Sequence, residues 1–263
     1  MRLAEKTLFV HGWATDSASW DGHDALSRGE VVNLDLPGHG SPSVWDGPTL
    51  FPAVREISAA ISGFPDKSVG ALGWSLGALA LIAAVIEKPE KFHSLVLVGA
   101  TPCFVSREGF PWGQPRPLAK RMLMDMKKDP EEALRRFYPL SFTAEEMEER
   151  PAKEFIERYR YPGPIRCDGV VPGCFPAFRY GEMAKALEAL CSADLRERLN
   201  ELDLPVLIVH GSRDEVCPVG AGKFLAERIR GARMEIIENA GHAPHITRPG
   251  KFDKIVRNFY SAL

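Results

Sequence analysis

The chain has 263 residues, of which 45% are hydrophobic and 26% charged, and its formal net charge is −2. This composition predicts one large domain, or a domain with an insertion, with enough apolar side chains for a sizeable core. The near-neutral charge does not favour nucleic acid or an anionic membrane as a partner, and no apolar run reaches the roughly 18 residues of a membrane span. The apolar stretch before His11 is too short for a secretory signal, so we expect a cytoplasmic protein.

The cysteines form no C-x-x-C pair and their number is odd, which indicates free thiols in a reducing compartment. No Cys and His cluster has the spacing of zinc ligands, and no P-loop or G-x-G-x-x-G segment follows a strand. The sequence therefore predicts neither a metal nor a cofactor. The cysteines are Cys103, Cys167, Cys174, Cys191 and Cys217.

Short apolar runs bounded by turn residues recur along the chain and are typical of buried strands. Most of them are separated by longer patterns typical of helices. Runs that are apolar on both faces and alternate with helices predict an α/β fold, with a mostly parallel central sheet and helices on both faces. The predicted strands are residues 7–11, 30–36, 68–74, 94–100, 205–211 and 233–239, and the predicted helices are 17–27, 52–63, 76–88, 218–230 and 249–262.

The alternation stops between residues 101 and 204, where the sequence indicates several amphipathic helices separated by Pro and Gly. We therefore divide the chain into an α/β core, residues 1–100 and 205–263, and a helical insertion, residues 101–204. An insertion between parallel strands leaves the sheet at their carboxyl ends, where open α/β sheets bind ligands. We interpret the insertion as a lid.

The stretch GWSLG at residues 73–77 fits the G-x-S-x-G nucleophile elbow. A strand pattern precedes Ser75 and an Ala- and Leu-rich helix pattern follows it, so this serine lies where a strand turns sharply into a helix. Side chains at Gly73 and Gly77 would collide in such a turn. The turn exposes the serine Oγ at a helix N-terminus, where N–H groups favour developing negative charge.

A serine nucleophile needs an imidazole base and a carboxylate that orients the base. Asp214 and His242 each come directly after a predicted strand. Because parallel strands bring their carboxyl ends to one edge of the sheet, Ser75, Asp214 and His242 are expected to meet at that edge. Glu215, which adjoins Asp214, is an alternative orienting carboxylate.

The other histidines noted in the sequence are expected to have structural roles. His11 and His210 end strands, and His39 lies in a turn rich in Pro and Gly, so all three are expected to pack or hydrogen-bond locally. His245 is expected in a loop or at the entrance of the site.

Two backbone N–H groups are needed to bind the oxyanion of an acyl-transfer reaction. The N–H of Leu76, directly after the nucleophile, is one by geometry, and the loop after the first strand supplies the other. Gly12 permits close backbone approach there, so we expect the N–H of Trp13 to be the second donor. Its indole is then a wall of the acyl pocket or, alternatively, a plain core aromatic.

At these residues the chain resembles the α/β-hydrolase superfamily over nearly all its length, with HGW, DLPGHG, GWSLGAL, GSRDEVCP and AGHAPHITRPGKF in the expected order. It resembles more narrowly the pimeloyl-[acyl-carrier protein] methyl ester esterases of biotin synthesis, through HGW, Trp74, GATPCFVSREGFPWG and GHAPHITRP. The resemblance implies an α/β-hydrolase fold with a helical lid inserted after the sixth core strand region. The sequence departs from the family pattern at its start, where only about six residues precede the first strand run, so we expect the family's N-terminal hairpin to be shortened or absent.

In that family an Arg-Phe pair begins a lid segment that lines the substrate channel, and Arg136 with Phe137 resembles this pair. The sequence departs from the family at His245, where an apolar residue is common. The substrate-binding residues that the resemblance implies are Trp13, Ser75, Leu76, Phe137, Tyr138, Pro139, Leu140, Ser141 and His242.

The predicted activity is that of a serine carboxylesterase acting on a short-alcohol ester. The resemblance implies the methyl ester of pimeloyl-[acyl-carrier protein], and we expect a monomer that takes a small or carrier-bound ester. Residues 115–200 hold 16 Lys and Arg against 15 Asp and Glu, which does not indicate a basic carrier-binding face, although Arg135 and Arg136 form one local group. The alternatives are another hydrolase of acyl or carbon–carbon bonds and a non-enzymatic receptor, which the intact Ser, Asp and His set disfavours.

Overall fold

The computed structural model describes residues 6–27, 29–160 and 179–263, with the backbone alone at Arg160. Its centre is a six-stranded sheet in which every neighbouring pair is parallel, in the order β2-β1-β3-β4-β5-β6. This sheet confirms the predicted α/β class. The strands are β1 (Lys6–Val10), β2 (Glu30–Leu34), β3 (Val69–Trp74), β4 (Phe92–Val98), β5 (Val206–Gly211) and β6 (Arg233–Ile237).

The helices that flank the sheet are amphipathic except for the one after β3, which is buried over nearly its whole length. Its Ala- and Leu-rich sequence suits a position with neighbours on all sides. The α-helices are α1 (Phe51–Ala60), α2 (Leu76–Glu87), α3 (Arg116–Lys128), α4 (Pro130–Phe137), α5 (Arg150–Arg160), α6 (Tyr180–Ser192), α7 (Val219–Arg228), α8 (Pro244–Thr247) and α9 (Pro249–Ser261). None in the described part of the chain has the length and apolarity to cross a membrane.

The register of the sheet places the strand ends that matter for the site side by side. Trp74 at the end of β3 pairs with Val98 at the end of β4, and Val98 pairs with Val209 in β5. Gly211, which ends β5, pairs with Ile237, which ends β6. The chain therefore leaves four neighbouring strands at one edge of the sheet.

The predicted helix over residues 17–27 is wrong as a single element. The structure has two short 3₁₀ turns there, Ser17–Trp20 and Asp24–Leu26. Gly22 separates them with a φ of 87°, a left-handed conformation that interrupts a right-handed helix.

The long insertion follows β4, the fourth strand of the described sheet. Within 101–204 the described elements are helical, as predicted. Cys103, Cys191 and Cys217 are free thiols, as expected, while Cys167 and Cys174 lie outside the described residues.

Candidate active site

Ser75 occupies the turn between β3 and α2 with backbone angles of φ 54° and ψ −114°, which a residue with a side chain rarely adopts. Neighbouring chain lies very close on both sides of the turn. A Cβ at Gly73 would lie 2.7 Å from the amide nitrogen of Ala78, and a Cβ at Gly77 would lie 2.4 Å from the carbonyl oxygen of Val10. The steric reason predicted for both glycines is confirmed.

His242 and Asp214 are joined by a buried hydrogen bond. The Nδ1–H of His242 donates to Asp214 Oδ2 at 2.8 Å, and both side chains are almost fully shielded from solvent. The other carboxylate oxygen, Oδ1, accepts the backbone N–H groups of Val216 at 2.9 Å and Cys217 at 2.8 Å. Glu215, the alternative orienting carboxylate, is exposed, so Asp214 is the carboxylate that contacts the imidazole.

A second histidine touches the same carboxylate. His210 is fully buried, and its Nε2 lies 2.6 Å from the carbonyl oxygen of Cys217 and 3.2 Å from Asp214 Oδ2. Because both neighbours are acceptors, Nε2 carries the proton and donates. The sequence predicted that His210 would hydrogen-bond locally, but the contact with Asp214 was not foreseen.

These contacts decide the ionisation of Asp214. Burial alone raises the pKa of a carboxyl group, and it is the largest single influence here. The combined effect of His242 and His210, through charge and hydrogen bonds, is larger and holds the pKa of Asp214 well below its usual range. Asp214 is therefore a carboxylate at neutral pH.

Ser75 and His242 both lie beside the end of β4. The backbone N–H of Ser75 donates to the carbonyl of Val98 at 2.9 Å, and a Cβ on the next residue, Gly99, would lie 2.9 Å from His242 Nδ1. The indole N–H of Trp74 donates to the carbonyl of His242 at 2.9 Å. His242 Nε2 is buried and has no hydrogen-bond partner among the described residues, which leaves this nitrogen free to accept a proton.

The loop after β1 lies against the elbow. A Cβ at Gly12 would lie 2.9 Å from the indole of Trp74, so this glycine allows the close approach predicted for it. Trp13 is 3% exposed, its indole N–H donates to the carbonyl of Met183, and its ring packs edge-on against Phe137 at 4.8 Å. Leu76 is the first residue of α2, where backbone N–H groups have no partner within the helix.

The lid residues singled out by the sequence have two different surroundings. Phe137 packs on Trp13, and Leu140 is half exposed. Tyr138 and Ser141 are buried instead: the Tyr138 hydroxyl donates to the carbonyl of Ala14 at 2.8 Å, and the Ser141 carbonyl accepts the N–H of His242 at 2.9 Å. Pro139 lies half-buried between them.

A cavity of about 410 Å³ opens between the insertion and the loop that carries Asp214. Its walls are mostly apolar, with Arg121 and Arg136 among the few charged residues at its border. The volume is in the range of small-molecule sites. Its apolar walls include Phe104, Leu118, Met122, Phe137, Leu140 and Val216.

His11 and His39 have the structural roles expected of them. His11 Nε2 accepts the N–H of Leu36 at 2.9 Å, so its Nδ1 carries the proton and donates to the carbonyl of Gly12 at 2.7 Å. The Nδ1 of His39 donates to the carbonyl of Pro37. Burial lowers the pKa of His39 to about 3.

The expectation that His245 lies in a loop or at the entrance is wrong. His245 lies in α8, is fully buried, and packs between Trp20 and Trp74 with ring centroids 4.6 and 4.9 Å away. Neither of its ring nitrogens has a hydrogen-bond partner among the described residues. Burial holds its pKa well below the usual range, so the ring is neutral.

No group of three or more His, Cys, Asp or Glu side chains in the described part of the chain is arranged to hold a metal ion.

The profile of the alpha/beta hydrolase family matches residues 7–254. Among curated proteins, the pimeloyl-[acyl-carrier protein] methyl ester esterase of Nitrosomonas europaea is 30% identical over 93% of this chain and 91% of its own length. The protein of the same name from Aeromonas hydrophila is 32% identical over 96% of this chain and 94% of its own length.

Two solved structures share the fold at low sequence identity. An esterase from Exiguobacterium antarcticum superposes with a TM-score of 0.83 at 21% identity, covering 99% of this chain and 93% of that one. The enol-lactonase from Burkholderia xenovorans gives a TM-score of 0.78 at 22% identity, covering 98% of this chain and 92% of that one. The chain has the G-x-S-x-G elbow and a parallel sheet, and the family profile matches most of its length. It therefore belongs to the alpha/beta hydrolase family.

Proposed function

We propose that this protein is a serine carboxylesterase whose substrate is the methyl ester of pimeloyl-[acyl-carrier protein]. The observation that carries the proposal is the His242–Asp214 hydrogen bond of 2.8 Å, with His242 Nε2 left without a partner among the described residues. The names of the two curated relatives support the choice of substrate. The proposal keeps the cytoplasmic location and the monomeric state expected from the sequence.

The proposed reaction begins when Ser75 Oγ attacks the ester carbonyl and its proton passes to His242 Nε2. The N–H groups of Trp13 and Leu76 stabilise the oxyanion that forms. The tetrahedral intermediate collapses, the alkoxide of the short alcohol takes the proton from His242, and an acyl-enzyme on Ser75 is left. Water then attacks the acyl group with His242 as base, which releases the carboxylic acid and restores the hydroxyl.

Asp214 holds the imidazole of His242 in the tautomer that the proposed reaction needs. Its carboxylate accepts Nδ1–H, so the unprotonated nitrogen is the one that takes the serine proton. Asp214 also stabilises the imidazolium that forms during the attack. Two backbone N–H groups on its other oxygen prevent the carboxylate from turning away.

The cavity of about 410 Å³ is the proposed path of the acyl chain. Its apolar lining suits a chain of methylene groups. Phe137 lines the cavity and also packs on the ring of Trp13, whose backbone N–H is a proposed oxyanion donor. We propose that residues 101–204 act as a lid over this path, with the carrier protein docking outside. Arg136 borders the cavity and is exposed, although Glu132 pairs with both Arg135 and Arg136.

The experiment that tests the proposal measures hydrolysis of methyl and p-nitrophenyl esters of increasing acyl length, alongside labelling by a fluorophosphonate. We expect labelling at Ser75 and hydrolysis of methyl esters with a preference for medium-length acyl chains. An unlabelled chain without ester hydrolysis would contradict the esterase assignment. Labelling with cleavage of carbon–carbon bonds instead of esters would favour the alternative hydrolase.

A further inference from the structure

One short segment of the insertion is fastened to both loops that carry the proposed catalytic groups. We call residues 138–149 the strap; they contain two 3₁₀ turns, Tyr138–Ser141 and Glu146–Glu148. At one end the Tyr138 hydroxyl donates to the carbonyl of Ala14, directly after the proposed oxyanion donor. Further along, the carbonyl of Ser141 accepts the N–H of His242.

Glu146 attaches the strap to the loop of His242 through a buried carboxylate. Its side chain is fully buried, and its Oε2 accepts the N–H groups of Gly241 and Thr143, both at 2.9 Å. Its Oε1 accepts the hydroxyl of Thr247 at 2.5 Å. Within the described part of the chain no Lys, Arg or His forms an ion pair with Glu146, so its burial is compensated by these three donors and, at longer range, by the charge of Arg248.

The backbone beside His242 is shaped to receive the strap. A Cβ at Gly241 would lie 2.7 Å from the carbonyl oxygen of Ser141 and 3.0 Å from Glu146 Oε2. A side chain at this position would therefore push the strap away from the loop. The backbone of the loop that precedes His242 therefore lies in close contact with the backbone of the strap.

We propose that Glu146 is a positioning residue for the base: its buried carboxylate clamps the strap onto the loop of His242, and the same strap holds the oxyanion loop through Tyr138. The inference rests on the proposed esterase function and deepens it. It assigns Tyr138 and Ser141 to the support of the site rather than to contact with substrate.

Glu146→Ala removes the acceptor of the Gly241 and Thr143 N–H groups and leaves the Thr247 hydroxyl only its longer bond of 3.4 Å to the carbonyl of Ala243. Because a displacement of about 1 Å in a reacting group costs on the order of a hundredfold in rate, we expect kcat to fall roughly 10- to 100-fold. KM for a p-nitrophenyl ester is expected to stay nearly constant, since Glu146 does not reach the substrate cavity.

Glu146→Gln is the conservative variant. Its amide oxygen can take the place of Oε2 and accept both N–H groups, while its amide nitrogen donates to Thr247, whose hydroxyl turns to accept. We expect this variant to restore kcat close to the native value and to leave the pH dependence of kcat/KM unchanged. A restored kcat with a shifted acid limb would instead mean that the charge of Glu146 matters, and would overturn the clamp.

Glu148→Ala is the matched control, because Glu148 lies in the same 3₁₀ turn but is exposed and pairs with Lys153. Amide hydrogen exchange of residues 240–247, followed by mass spectrometry, gives a readout that needs no esterase activity. We expect faster exchange there in Glu146→Ala than in Glu148→Ala under conditions where both remain folded. Gly241→Ala attacks the same contact from the loop side and should speed exchange in the same peptide.

The proposal is overturned if Glu146→Ala matches Glu148→Ala in kcat, or if exchange of residues 240–247 is equal in the two variants. A native protein that neither hydrolyses esters nor reacts with a fluorophosphonate contradicts the proposed function instead. The exchange measurement would still decide whether Glu146 clamps the loop.

Discussion

Ser75 stands at the carboxyl end of β3 in a conformation that its neighbours enforce, and its side chain contributes little to packing. We expect Ser75→Ala to fold like the native chain and to lose on the order of a millionfold in kcat, the effect of removing a triad nucleophile. Hydrolysis of a p-nitrophenyl ester measures the loss, and thermal unfolding checks the fold.

Ser68→Ala is the matched control for this substitution. Ser68 directly precedes β3 at the opposite end, is also buried, and donates its hydroxyl to the carbonyl of Pro65. We expect Ser68→Ala to lower the free energy of unfolding and to leave kcat unchanged. If Ser75→Ala keeps more than about a hundredth of native kcat, Ser75 is not the nucleophile.

Asp214→Asn tests whether Asp214 fixes the tautomer of the His242 imidazole. With two backbone N–H groups on the position of Oδ1, the asparagine oxygen will occupy that position and its amide will face His242 Nδ1. The imidazole then turns to the tautomer with its proton on Nε2, which cannot accept from Ser75. We expect a large loss of kcat with an unchanged fold; the same change costs about 10⁴-fold in the reference serine protease.

Glu215→Gln makes the same chemical change at the neighbouring, exposed carboxylate. It should leave kcat close to the native value in the same ester assay. The reverse ranking of the two variants would mean that Glu215 orients the base.

Local sequence was enough to predict the turn at Ser75 and the contact of His242 with Asp214, because each residue lies in the connection after a strand and parallel strands end together. Glu146 and His210 could not be assigned in this way. Glu146 acts on Gly241, nearly a hundred residues away, and His210 reaches Asp214 only because the loop after β5 folds back on its strand. Contacts that form only in the tertiary structure leave no periodic pattern in the sequence.

At the scale of elements, α4 carries the exposed arginines that we propose as a contact for a carrier protein. Arg136 is 61% exposed at its side chain and shares Glu132 with Arg135. We expect Arg136→Gln to raise KM for a carrier-bound ester and to leave kcat/KM for a p-nitrophenyl ester nearly unchanged, because exposed charges act on the encounter with a large partner. The difference should shrink as salt increases, since exposed charges are screened within about 10 Å at 0.1 M.

Arg150→Gln serves as the control, because Arg150 is exposed and pairs with Glu154 at the i,i+4 spacing that Arg136 has with Glu132. It lies in α5, away from the cavity. Equal losses on small and carrier-bound esters in Arg136→Gln would show that this arginine shapes the lid and does not contact the carrier.

The strands and the long helices were predictable because their apolar runs are continuous and bounded by turn residues. An error arose where a single backbone angle decides the element, as at Gly22. The strap resembles a substrate-lining segment in sequence, yet Tyr138 and Ser141 face the loops. The choice between lining a cavity and holding a loop depends on tertiary contacts alone.

At the scale of the whole molecule, buried neutral histidines make stability depend on pH. Burial lowers the pKa of His11, His39 and His245, that of His39 to about 3, whereas an unfolded chain binds protons at these sites near pH 6.5. Below that pH the unfolded state holds more protons, so the free energy of unfolding falls by about 1.4 kcal/mol per pH unit for each such histidine. Thermal unfolding between pH 5 and 8 is expected to show Tm decreasing with acidity.

His245→Phe isolates one of these contributions. Phenylalanine keeps an aromatic ring between Trp20 and Trp74, and it removes two ring nitrogens that have no partner among the described residues. We expect a higher Tm, with the gain over the native protein growing as the pH falls below about 6.5. A gain that is the same at pH 5 and pH 8 would contradict a role for His245 in the pH dependence.

The position of the insertion also has a consequence for biosynthesis. β4 pairs with β5 in the finished sheet, but more than a hundred residues separate Val98 from Val206. A ribosome adding about 5–20 residues per second needs roughly 5–20 s to make that stretch, and β4 meanwhile presents an unpaired, hydrophobic edge to other nascent chains. The yield of folded protein should therefore respond to translation speed and to chaperones that cover strand edges, even when the equilibrium stability of the enzyme is unchanged.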